Sequence, residues 1–117
     1  MQRAKPQLRL RMRVMVDDTI AVGPGKIALL EALDETRSIT AAAKTLGMSY
    51  RRAWTLIDEL NRSLKQPAVI SAAGGTQGGG SELSESGRQL LTLYRGIEAQ
   101  AQAACKPEIQ RLLKLLA

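Results

Sequence analysis

A chain of 117 residues, 44% hydrophobic and with a net charge of +6, suits one small folded domain. It has no histidine and a single cysteine, Cys105, which excludes disulfide frameworks, Cys/His metal sites and histidine general-base catalysis within the chain. Paired carboxylates in a plausible cleft are missing as well, so an enzyme is not expected. No apolar run approaches the roughly 20 residues of a membrane span, and the basic start lacks a signal-peptide core; a cytoplasmic protein without membrane contact is expected.

The charge is unevenly placed. Residues 1–16 sum to +5, residues 17–36 to −4, residues 37–65 to +4 and residues 66–117 to +1. Two basic blocks fit a polyanionic partner, although charge alone is equally consistent with simple solubility.

Residues 8–16 alternate, with Leu8, Leu10, Met12, Val14 and Val16 on one face and Arg9, Arg11 and Arg13 on the other. Period two predicts a half-buried strand, and the arginines are read as its solvated face rather than as part of a DNA footprint. Asp17-Asp18-Thr19 predicts a turn, and Ile20 to Val22 a short return strand. Gly23-Pro24-Gly25 opens a first helix over 26–36, with Ile27, Leu30, Leu33 and Ala28 on its buried stripe.

Ser38 caps a second helix over 39–46, which Gly47 ends. Ser49 caps a third over 50–63, where Ala53, Leu56, Ile57 and Leu60 follow the spacing of one buried face. Strands are predicted over 68–73 and 81–84, joined by the loop GGTQGGG at 74–80. A long fourth helix, capped by Ser84 and reaching Ala104, precedes Pro107 and a short last helix striped by Ile109, Leu112, Leu113 and Leu116. The expected organisation is one unit over 1–104, dimerisation helix included, and a short helix over 105–117. Cys105 is read as a small buried residue.

Residues 39–57 carry the function. Two helices that cross steeply need a small residue at their contact, and Ala43 supplies it; the turn needs positive φ, and Gly47 stands four residues later. Met48, Ala53 and Leu56 then pin a helix begun by Ser49. This is the pattern of a helix-turn-helix, with the hairpin after it as wing: a mainly α winged helix-turn-helix with a small β wing.

The first turn of such a recognition helix meets base edges in the major groove. The candidate contacts to double-stranded DNA are Ser49, Tyr50, Arg51, Arg52, Thr55 and Lys44, with Thr76 and Gln77 on the wing. Arg51 and Arg52 suit either guanine O6/N7 or phosphate, and Thr55 a thymine methyl or a phosphate. Trp54, the only tryptophan, is read as a core anchor of the third helix at least as readily as a DNA contact. The glycine loop precedes no Gly-Lys-Ser/Thr and lacks Rossmann spacing, so it is not read as a nucleotide cradle.

The stretches GPGKIALLEALDETRSITAAAKTLGMSYRRAWTLIDELN (23–61) and GGTQGGGSELSESG (74–87) resemble the N-terminal DNA-binding domain of the ModE family, bacterial molybdate-responsive regulators. The SYRRAW hexapeptide and the doubled glycine blocks carry the likeness, which extends over residues 8–97. LysR domains share the start and the LSESG-like end but usually differ in recognition helix and wing.

The resemblance implies a recognition helix with Ser49, Tyr50, Arg51, Arg52 and Thr55, a wing at 74–80, and a homodimer on a two-fold symmetric operator. It also implies control of molybdate transport or molybdoenzyme genes, with repression as the default. ModE proteins carry C-terminal molybdate-binding β-barrel domains, and nothing after Pro107 can form one. No cofactor is therefore expected in these residues, and molybdate enters only by family analogy. Leu90, Leu91, Leu93, Tyr94 and Ile97, with the last helix, exceed what a small monomer hides and favour dimerisation there. The alternative is a LysR-like or other winged-helix module acting through protein contacts.

Overall fold

The computed structural model describes residues 4–71 and 80–117. The element order is β1 (Val14–Val16), β2 (Thr19–Val22), α1 (Pro24–Thr36), α2 (Ile39–Thr45), α3 (Tyr50–Ser63), β3 (Val69–Ser71), β4 (Ser81–Leu83), α4 (Glu85–Ala104) and α5 (Lys106–Leu113). β1 pairs antiparallel with β2 and β3 with β4, as two separate hairpins. The fold is the expected winged helix-turn-helix.

α1 is the hub. It packs on α2, α3, α4 and β4, and its Ile27, Leu29, Leu30 and Leu33 are the largest fully buried side chains together with Leu60 of α3. Pro24 opens this helix, where a missing N–H costs nothing. Arg37 closes it in the left-handed region at φ 56°, its N–H donating to Leu33 O at 2.7 Å. With Phe absent, the core closes by small residues: Ala42, Ala43, Ala53 and Ala68 are almost wholly buried and let backbones approach closely. Gly87 works in the same way, because a Cβ there would collide with the Ala68 carbonyl.

The first strand is shorter than the alternation predicts. Only Val14–Val16 pair, and Val14 and Val16 are exposed rather than buried. Residues 8–13 form an unpaired arm in which Leu8, Leu10 and Met12 are half-buried and Arg9, Arg11 and Arg13 exposed. Period two is therefore real, but what it packs against is α4 and not a sheet: Tyr94 Oη donates to Met12 O at 2.8 Å and Gln102 Nε2 to Leu8 O at 3.3 Å.

The C-terminus also departs from expectation. α4 ends at Ala104 as expected, the break falls at Cys105, and Pro107 stands in the first turn of α5. Cys105 is exposed, not buried, because it sits at that junction where no other element covers it. α5 has no buried residue; it ends at Leu113, so Leu116 of the expected stripe lies beyond it, and both Leu112 and Leu116 are exposed. Of the five apolar residues noted on α4, Tyr94 belongs to the monomer core and only Leu93 and Ile97 are largely exposed.

Candidate nucleic-acid interface

The turn between α2 and α3 is built by local chemistry. Ala43, 2% exposed, lies where the helices cross, and Met48 N–H donates back to Ala43 O at 3.0 Å. Gly47 makes the reversal at φ 68°, a conformation that costs an L-residue about 1–2 kcal/mol. Ser49 then caps α3, its hydroxyl accepting from Arg52 N–H at 3.1 Å. Ser38 caps α2 in the same way through Ala41 N–H.

Ala53, Ile57 and Leu60 hold α3 down, so the opposite face is turned outward. Ser49, Tyr50, Arg51, Arg52 and Thr55 are all exposed on it, and Lys44 is exposed at the end of α2. Trp54 is 50% exposed and Tyr50 53%, four residues apart on that surface. Trp54 is thus a surface residue, not a core anchor, and belongs with the candidate contacts.

The electrostatics separate the cations. Arg62 Nε lies 3.1 Å from Asp58 Oδ2 one turn earlier, so its charge is compensated. Among the described residues, Arg51, Arg52 and Lys44 have no ion-pair partner. They stand beside the N-terminus of α3, where the amides ahead of the first intrahelical bond favour an anion. Thr55 spends its hydroxyl proton on Arg51 O at 2.9 Å. What it offers outward is a methyl group and an acceptor oxygen, which suits thymine or a base amino group better than a phosphate.

The wing is rooted on the recognition helix. Asn61 Nδ2 donates to Val69 O at 3.1 Å, and its Oδ1 accepts from Ala68 N–H at 2.9 Å and Val69 N–H at 3.1 Å. Ser84 ties β4 to the same point through Pro67 O at 2.6 Å while capping α4 at Gly87 N–H. Sequence reasoning missed Asn61; its one signal was an amide directly after the buried Leu60. Thr76 and Gln77, with most of the glycine loop, lie outside the described residues.

Among the described residues there is no group of three His, Cys, Asp or Glu side chains placed to hold a metal. Among the described residues no helix is long and apolar enough to cross a membrane.

A second helix lying across the first, presented outward with free cations at its start and flanked by a hairpin, is the winged helix-turn-helix of transcriptional regulators. The chain belongs to the bacterial regulatory helix-turn-helix proteins of the lysR family, whose family model matches residues 25–88. Beyond that shared motif, the sequence is similar to ModE proteins. It is 39% identical over 102 residues to the molybdenum transport protein ModE of Azotobacter vinelandii, covering 87% of this chain and 38% of that protein. To the DNA-binding transcriptional dual regulator ModE of Escherichia coli it is 33% identical over 88 residues, covering 75% and 34%. The molybdenum-pterin-binding protein MopB of Rhodobacter capsulatus is 42% identical over 78 residues, covering 67% and 29%. The chain therefore spans 29–38% of the length of these relatives.

Proposed function

We propose that this chain binds double-stranded DNA sequence-specifically as a homodimer and regulates transcription in the cytoplasm, as a repressor of molybdate transport or molybdoenzyme genes. The observation that carries the reading is the contrast along α3: among the described residues Arg51 and Arg52 are exposed and have no ion-pair partner, while Arg62 is held by Asp58. Ser49, Tyr50, Thr55 and Lys44 surround the two free arginines, and the wing residues Thr76 and Gln77 complete the contact set. The gene class rests on the similarity to proteins named for molybdenum transport and regulation.

Self-association has its own support. Leu93 and Ile97 on α4, and Leu112, Leu115 and Leu116 at the end of the chain, are between 50% and 81% exposed, an apolar surface that a second copy would cover.

The test is a fluorescence titration of the protein against its own upstream DNA and a scrambled duplex, at two salt concentrations, with and without molybdate. Tighter binding to the upstream DNA, lost in Arg51→Ala/Arg52→Ala but not in Arg62→Ala, supports the reading. A response to molybdate would reveal an oxyanion site within these residues. Equal binding to both duplexes, or none, sinks specific recognition and moves a protein-interaction module ahead. A sedimentation mass of one chain at micromolar concentration sinks the dimer.

A further inference from the structure

We propose that Arg9, Arg11 and Arg13 form a second contact for nucleic acid: a rigid ladder of cations that engages the phosphodiester backbone without reading sequence. The inference rests on the DNA-binding function proposed above and adds a surface outside the helix-turn-helix and its wing.

Three observations support it. First, the arm is fixed and not a loose tail. Leu8, Leu10 and Met12 are half-buried, and the backbone is tied to α4 at Met12 O by Tyr94 Oη and at Leu8 O by Gln102 Nε2. The backbone entropy of ordering the arm is met by folding, so binding has only the exposed arginine side chains left to order.

Second, the period-two alternation puts all three guanidinium-bearing residues on the exposed side. Extended chain rises about 3.3 Å per residue, so alternate residues stand roughly 6.6 Å apart. That matches the step between neighbouring phosphates on one strand. Such a ladder meets successive phosphates with successive arginines.

Third, the positive charge is uncompensated. On the neighbouring face, Arg88 is paired with Asp34 at 2.9 Å, and Arg95 with both Glu31 and Glu98. Glu98 lines the same groove as Arg9 and Arg11, but it accepts from Arg95 Nη1 at 2.7 Å. Among the described residues no acid pairs with Arg9, Arg11 or Arg13. Solvated arginines on a mixed surface usually have acids interspersed, and residues 4–13 contain none. The apolar side chains of the arm turn inward, which favours a polyanion over a lipid surface; the exposed Val14, Met15 and Val16 follow the ladder rather than interleaving with it.

The experiment compares the full chain with Arg9→Gln/Arg11→Gln/Arg13→Gln and with Arg51→Ala/Arg52→Ala. Dissociation constants for the upstream and scrambled duplexes are measured across a salt series. Each phosphate contact contributes about 0.9 to the slope of log K against log salt. The triple variant is expected to reduce that slope by about 2.7 and to weaken both duplexes by the same factor, leaving their ratio unchanged. The Arg9→Gln/Arg11→Gln variant, which spares Arg13 packed near Gly23, should reduce it by about 1.8. A thermal melt checks that each variant remains folded.

An unchanged slope in both folded variants overturns the ladder. If the Arg51/Arg52 variant still loses discrimination between the duplexes, DNA binding itself stands. If the wild-type protein binds neither duplex, both readings fall together. Binding to phosphatidylserine vesicles that is lost in the triple variant, with an unchanged DNA slope, would assign the surface to membranes and overturn the proposal.

Discussion

The Lys26 ammonium lies 3.4 Å from the Glu59 carboxylate, joining the start of α1 to the far half of the recognition helix. The lysine is 6% exposed and also donates to Ile20 O at 2.7 Å and Ala21 O at 3.5 Å, so one charge ties β2, α1 and α3 together. A buried cation is tolerable only while its acceptors are present. Glu59→Gln should therefore destabilise the protein, by about 1 kcal/mol because the carboxylate is itself half-exposed. Lys26→Met in that background should cost less than in the wild type, since the charge left without its partner is then removed. A urea double-mutant cycle measures this; additive losses would mean the two groups are uncoupled.

Two residues take the left-handed conformation around the helix-turn-helix, and they predict opposite signs. Gly47, at φ 68°, has open space where a Cβ would stand, so Gly47→Ala meets no clash and should cost only the conformational penalty, about 1 kcal/mol. Arg37, at φ 56°, already bears that penalty at the end of α1. Arg37→Gly should raise stability by about 0.5–1 kcal/mol, the relief being partly offset by the freer unfolded chain. Its carbonyl bond to Ser81 N–H at 3.1 Å, which anchors the wing, does not depend on the side chain. Thermal melts of the two variants should move in opposite directions.

The helix-turn-helix was legible because each of its constraints is local. Ser38, Gly47 and Ser49 mark boundaries by chemistry confined to three or four residues, and the helices begin and end there. What failed depends on neighbours distant in sequence. The alternation of residues 8–16 gave the right faces up to Met12 but could not say that α4, about 80 residues on, takes the place of a sheet. Period two reports which side is covered and not by what. Cys105 and α5 failed for the same reason, since small or apolar residues predict burial only where an element arrives to bury them. Lys26 and Asn61 were invisible because their acceptors, Glu59 and the start of β3, lie on other elements.

Trp54 and Ile57 lie one turn apart on α3 and should separate surface from core. Ile57 is 6% exposed, and Ile57→Ala should cost about 2–4 kcal/mol through lost transfer energy and the cavity left behind. Trp54→Ala, at a half-exposed site, should cost less than about 1 kcal/mol. As the chain's only tryptophan, Trp54 also reports on its surroundings. Its emission should be that of a solvated indole in the free protein and should quench or shift when DNA is added. A blue-shifted emission before any DNA is present would contradict its placement.

Tyr94 predicts the pH dependence. Burial raises its hydroxyl pKa above the ordinary 10.0, Glu98 adds to the rise, and the nearby charge of Arg95 opposes it. The folded state thus holds the proton at pH values where the unfolded chain releases it. The stability this provides is fully present below about pH 10 and is lost as pH climbs through the folded-state value. Tyr94→Phe should lower stability at neutral pH by about 1 kcal/mol, the net worth of its hydrogen bond to the arm. The same substitution should flatten the decline between pH 9 and 11, because the group that titrates differently in the two states is gone. Melting temperatures of both proteins across that range check the sign, with the lysines and Tyr50 common to the two. Parallel curves would mean that Tyr94 ionises with equal ease folded and unfolded, and that the arm does not shield it from water.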